Sequence, residues 1–198
     1  MKWIKVLSST LVIILSANVF AGNNDIYITQ TGTGLTLTID QIGATNTVGT
    51  SGARATLSGT SMTVDLDQIG SSNALARATL SGTSMTVDLD QIGSSNSLAI
   101  AIAQGNSTGW TYKATGDSNV GTFAVGATGD VANSDFDFEA TGDSNILTFT
   151  QGDASTATGG NQDFVISGTS NDVNVKCNSI GCINNWTISG NSNDIDTL

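Results

Sequence analysis

Residues 54–76, RATLSGTSMTVDLDQIGSSNALA, run straight into residues 77–99, RATLSGTSMTVDLDQIGSSNSLA, and the two differ only at Ala74 against Ser97. A tandem copy this faithful constrains the fold strongly, because whatever one copy adopts its neighbour adopts beside it. The stretch LTLTIDQIGATN, residues 35–46, is a third and more distant copy, set off by an insertion of four residues. All three share Gln-x-Gly-x-x-Asn: Gln41, Gly43 and Asn46; Gln68, Gly70 and Asn73; Gln91, Gly93 and Asn96. Each 23-residue unit also splits in two, since Gly59 and Gly82 lie eleven residues before Gly70 and Gly93. Beyond Gly105 the glycine spacing stretches to thirteen through Gly116, Gly129, Gly142, Gly168 and Gly181. Gly-x-x-Asn persists there at Asn119, Asn145, Asn171, Asn184 and Asn193. Residues 22–198 therefore read as one array.

Between the glycines the residues alternate, as in a half-buried strand. Met62, Val64, Leu66 and Gln68 share one face, and Thr63, Asp65, Asp67 and Ile69 the other. Leu35, Leu37, Ile39 and Gln41 repeat the inward set, and Ala55 and Leu57 point inward on the partner strand, which leaves Arg54 outside. From Leu98 to Gln104 the Leu-Ala-Ile-Ala-Ile-Ala run fits either phase. Gly and Asn tolerate positive φ and are expected at tight corners. Strand, turn, strand and turn in about 23 residues make one coil of a flat, two-sided, all-β solenoid, with about 26 residues per coil in the C-terminal half.

Stacked coils sit about 4.8 Å apart. Gln68 then falls over Gln91 and Asn73 over Asn96, and each amide donates to one neighbour and accepts from the other. Gln on the aliphatic face in three copies is otherwise unexplained. The same stacking sets Asp65 over Asp88 and Asp67 over Asp90, where like charges repel by roughly 0.9 kcal/mol even at the dielectric of water. Acid or a divalent cation is thus expected to speed any assembly of coils.

The chain opens with Met1-Lys2-Trp3-Ile4-Lys5, a short apolar run, and Val19-Phe20-Ala21 before Gly22. A basic start, a short apolar stretch and a small-residue site predict a signal peptide over residues 1–21, cut after Ala21, and hence a secreted or cell-surface product. The run is too short for the roughly 20 residues a bilayer needs, so no membrane span is expected in the mature form. Without the leader, Arg54, Arg77, Lys113 and Lys176 face 17 acidic residues, 16 of them Asp. Such a chain is a poor partner for nucleic acid. In an exported protein Cys177 and Cys182 favour a local disulfide, with free thiols or an intermolecular bridge as the alternatives.

The Gln-x-Gly-x-x-Asn core resembles the curlin repeat of bacterial curli, Ser-x5-Gln-x-Gly-x-x-Asn-x-Ala-x3-Gln. The likeness covers residues 30–106. Residues 107–198 are degenerate repeats, whose last part, with the cysteines and Trp186, suits a C-terminal cap. Met62 and Met85 stand where the family has Ser, and the second Gln is missing or shifted to Gln104. The resemblance implies a fibre subunit that leaves through an outer-membrane secretion channel and polymerises with itself, with or without a nucleator subunit. It also implies an extracellular functional amyloid serving adhesion and biofilm matrix.

Chemistry finds little purchase here. With no His, a Ser or Cys nucleophile lacks its usual base. The Gly-rich stretches have neither the Lys nor the helix of a phosphate loop, so neither catalytic residues nor a cofactor are expected. Asp135, Asp137 and Glu139 alternate on one strand face and can be read as calcium ligands, but a solvated acidic face is the simpler account and no metal site is expected. Competing classes are a soluble capped solenoid that binds ice or another surface through Thr-x-Thr ranks such as Thr36 and Thr38, and a phage or surface-layer fibre protein.

Overall fold

The computed structural model describes residues 2–7, 11–18, 23–49, 55–126, 131–152, 157–158, 160–178 and 182–197. Side chains are described from Ile26 onward, except at 30, 76–77, 101–107, 131, 133–134 and 157–158. The cleavage position after Ala21, Arg54, and the Gly129 and Gly181 of the glycine series lie outside the described residues, as do the side chains of Arg77 and Gln104.

The strands in chain order are β1 (Lys2–Leu7), β2 (Leu11–Asn18), β3 (Asn23–Thr33), β4 (Leu35–Ile42), β5 (Thr45–Val48), β6 (Ala55–Ile69), β7 (Ser72–Ile92) and β8 (Ser95–Thr115). They continue as β9 (Ser118–Val125), β10 (Val131–Thr141), β11 (Ser144–Gln151), β12 (Ala157–Thr158), β13 (Asn161–Ser167), β14 (Ser170–Cys177), β15 (Ile183–Ser189) and β16 (Ser192–Thr197). Every pairing among them is parallel and joins a strand to its counterpart one coil away. The molecule is a parallel β-solenoid with two walls. The first wall stacks β3, then β5 with the start of β6, the starts of β7 and β8, β9, β11, β14 and β16. The second stacks β4, the ends of β6, β7 and β8, then β10, β13 and β15. Residues 2–7 and 11–18, within the segment expected above to be a leader, also take strand form, β1 beside β3 and β2 beside β4.

The tandem copies lie in register along their length, Met62 on Met85 and Gln68 on Gln91. The later string Ala-Thr-Gly-Asp-Ser-Asn stacks likewise, Ala114 on Ala140 and Asn119 on Asn145. Alternation decides what is buried. Leu35, Leu37, Ile39, Met62, Val64 and Leu66 are all in the core, between the walls. The ambiguous stretch after residue 97 resolves with Leu98 and Ile100 inward, after a bulge between Leu75 and Ala78 on the neighbouring strand. From β8 onward the core turns aromatic. Trp110 stacks on Phe136 with ring centroids 5.8 Å apart, and Phe164 on Trp186 at 4.5 Å. Rings also meet across the walls, Phe123 with Phe138 at 5.9 Å and Phe149 with Phe164 at 5.5 Å.

The corners correct one expectation. Gly43, Gly70 and Gly93 stand at corners, but none has positive φ. They are needed for close approach: a Cβ on Gly70 would lie 1.9 Å from the Gly43 carbonyl oxygen, and one on Gly93 1.7 Å from that of Gly70. Left-handed backbone occurs at the opposite corner, at Ser61 (φ 55°) and Ser84 (φ 54°), and at Gly34 (φ 67°) in the first coil. Holding a serine there costs of order 1 kcal/mol, which the fixed pairing on either side of the corner must offset. Cys177 and Cys182 are joined across the corner between β14 and β15.

Candidate functional site

Two columns of amides run along the stack, and they set how one coil recognises the next. On the second wall Gln68 Nε2 donates to Gln41 Oε1 at 2.7 Å, and Gln91 Nε2 to Gln68 Oε1 at 2.8 Å. At the corner that follows, Asn46 Nδ2 donates to Asn73 Oδ1 at 3.0 Å and Asn73 Nδ2 to Asn96 Oδ1 at 2.9 Å. All six amides are essentially fully buried. A buried amide is expensive unless its donors and acceptors are matched, and only a neighbour in register matches them here.

The asparagine column runs on past the exact copies, through Asn96 to Asn119, Asn145, Asn171 and Asn193, with each bond 2.7 or 2.8 Å. From Asn46 to Asn171 each Nδ2 also reaches the carbonyl that closes the second wall of the next coil, as Asn46 does at Ile69 and Asn119 at Thr141. The corner glycine one coil back donates to that same carbonyl, Gly43 to Ile69 and Gly116 to Thr141. Corner and column therefore form one hydrogen-bonded unit. Asn184, which fits the spacing equally well, is not in the column: it pairs in register with Gln162 on the second wall.

The glutamine column ends after three members, because Ala114 takes the next register position. The Tyr112 hydroxyl fills the vacancy and donates to Gln91 Oε1 at 2.8 Å. Burial pushes this phenol above its ordinary range, so it stays protonated and remains a donor. A new pair replaces the column farther on, where Gln162 Nε2 donates to Gln151 Oε1 at 2.8 Å. Gln162 Oε1 and Asn184 Oδ1 are buried with no partner, so this end is less fully satisfied than the tandem copies. Tyr112 and Gln151 were not evident from the Gln-x-Gly-x-x-Asn pattern. The alternation does place Tyr112 inward, two residues before the position Gln would hold.

The outward face of the second wall is a grid of carboxylates, with Asp65 beside Asp88 in one rank and Asp40, Asp67 and Asp90 in the next. Lys113 breaks that second rank after Asp90 and pairs with Glu139 at 3.4 Å. Asp135 accepts from the Asn161 backbone N–H at 3.2 Å, so Asp135 and Glu139 of β10 turn to different partners. Asp65, Asp67 and Asp90 titrate above the ordinary value of 3.8, first because of partial burial and then because of neighbouring carboxylates. Asp137 is raised in the same way, with Asp163 and Asp135 beside it. A carboxyl whose folded pKa is raised binds protons more readily in the folded array than in the unfolded chain. Its stabilising effect is complete below about 3.8 and fades as pH rises through the raised values. Unfolding midpoints in denaturant are expected to fall as pH rises above about 3.8 and through the raised values, and Asp67→Asn with Asp90→Asn should flatten that slope. A midpoint that climbs over this window would contradict the assignment.

At its C-terminal end the stack stays open. β15 pairs only with β13, and β16 lies at the limit of the strand order. Among the described residues nothing covers their outer edges. Trp186 and Ile188 are only partly buried, and Ile195, in register with the fully buried Val173, is 45 % exposed. The last members of both walls thus present core-type side chains and unpaired backbone groups to solvent. No family model matches the chain, and neither a curated protein nor a solved structure matches it.

Proposed function

We propose that this protein is a secreted structural subunit whose copies stack end to end into an extracellular, curli-like amyloid fibre for adhesion and biofilm matrix. The observation that carries the proposal is the pair of in-register amide columns, whose buried donors and acceptors are matched by a neighbouring coil of like sequence. Among the described residues, β15 and β16 present edges that another coil of the same register would complete. A parallel edge with matching side-chain ranks is a template for strand addition, and the best match to a repeat is the same repeat. No Pro occurs in the chain to block such an edge. The ladder residues Gln41, Gln68, Gln91, Asn46, Asn73 and Asn96 act here as structural rungs. Their recurrence coil after coil suits a scaffold better than an active site, and the partner is a second copy, assisted by a nucleator subunit and an outer-membrane channel.

The test starts from residues 22–198 as monomer in denaturant, dilutes it, and follows thioflavin T fluorescence with fibre diffraction of the product. Growth after a lag, with reflections near about 4.8 and about 10 Å, is the expected result. A soluble monomer that unfolds cooperatively and never seeds growth would overturn the proposal.

A further inference from the structure

The two walls differ in what they show to solvent. On the second, charged side chains recur in every coil from β4 to β13, among them Asp40, Asp67, Asp90, Lys113, Glu139 and Asp163. On the first, no side chain described from β3 to β11 is charged. Thr47, Ala74, Ser97, Val120 and Ile146 stack in one outward rank, and Ile146 is 41 % exposed. Ala99, Thr122 and Thr148 form the rank beside it, and Thr31, Ser58 and Ser81 stack farther along the wall. The uncharged face ends where Asp172 follows Ile146 and Lys176 follows Thr150. The side chains of Asp25 and Arg77 on this wall lie outside those described.

In a chain of net charge -11, this asymmetry decides which surfaces of two copies can meet. Second wall against second wall brings carboxylate ranks together, and first against second strips water from carboxylates beside neutral side chains. First wall against first wall buries no described charge. Its ranks are small or β-branched and recur about every 4.8 Å, a form in which two sheets interdigitate about 10 Å apart. The exposed Asp117 and Asp143, at corners beside this wall, then fall at a polar rim. Six layers, each about six residues wide, cover roughly 600 Å². That is less than the roughly 800 Å² per partner of a stable complex, so two free copies should stay apart. Along two stacks of equal repeat the contact recurs once per copy, and its contributions sum.

Resting on the end-to-end assembly proposed above, we infer that the outer face of the first wall is a second interface, at which two stacks of this chain pair side by side about a two-fold axis along the fibre. The partner is a second copy presenting the same uncharged ranks. The acidic second walls then face outward, where their charge keeps one pair of stacks from joining another.

Fibres of the unmodified 22–198 chain test this by mass per unit length, read with cross-sections from electron microscopy. Two protofilaments are expected, with two chains per about 34 Å in all. Thr122→Lys sets a charge within the paired face and should give single protofilaments, while seeded elongation stays within about twofold of the parent. Thr111→Lys adds the same charge at an exposed position of the second wall and should leave the fibres paired. Should Thr122→Lys form no fibre, Thr148→Lys in the same rank takes its place. Unmodified fibres of one protofilament, or pairs that persist with the lysine in place, would overturn the side-by-side contact and leave end-to-end assembly standing. If the unmodified chain forms no fibre at all, the assembly proposal falls and this inference falls with it.

Discussion

Gly116→Ala is expected to destabilise the folded array by about 3 kcal/mol, toward the upper end of what overpacking costs. A Cβ at this corner would lie 1.6 Å from the Gly93 carbonyl oxygen and 3.0 Å from Asn96 Nδ2. The first of these is backbone, and it is held by the stacking of the two coils, so it cannot swing aside as a side-chain end would. Relief requires the coils to part or shift, and that in turn strains the bonds from the Gly116 N–H and Asn119 Nδ2 to Thr141. Gly109→Ala supplies the contrast. Its Cβ would meet nothing within 4 Å, so the loss of unfolded-state freedom should leave the protein unchanged or more stable by about 0.5 kcal/mol. Denaturant unfolding of the two variants reads the difference directly. Equal effects would mean that corner glycines are not held by close approach.

Asn119→Leu tests the column itself. Leucine nearly conserves volume but removes both a donor and an acceptor at a site only 1 % exposed. Asn145 Oδ1 loses the donor that reaches it from Asn119, and Asn96 Nδ2 keeps only carbonyl partners such as Thr115. One orphaned buried acceptor, together with the bonds lost, is expected to cost about 3 kcal/mol. Thr122→Ala, at an exposed outward position on the same strand, should stay within about 0.5 kcal/mol of the parent. Comparable losses at 119 and 122 would show that the column is ornamental to stability.

Much of this architecture could be read from the tandem copies, because a faithful repeat reports its own register. The inward set Met62, Val64, Leu66 and Gln68 follows from alternation alone, and the stacking of Gln68 on Gln91 follows from repetition. Legibility fades where the register depends on something other than local sequence. Asn184 and Asn193 both fit Gly-x-x-Asn, but only Asn193 follows a corner that stacks on Gly168. Counting glycines fails there because corners of different lengths absorb residues without moving the strands they join. The corner glycines showed a different limit: their type was informative, but the reason for it lay in the distance to the coil below rather than in φ. Tyr112 was hidden because it serves the glutamine column from a neighbouring rank, a substitution that only side-chain reach makes sensible.

The central claim is that one chain supplies a stack of coils and that the next chain extends it along the same axis. Mass per unit length of the fibre, measured by electron microscopy, tests it most directly. With about seven coils per copy among the described residues from 23 onward, at about 4.8 Å each, a single protofilament should contain one chain per about 34 Å. One chain per about 4.8 Å would mean that each molecule lies flat in a single layer and pairs with identical neighbours above and below, which would contradict the end-to-end stack of coils.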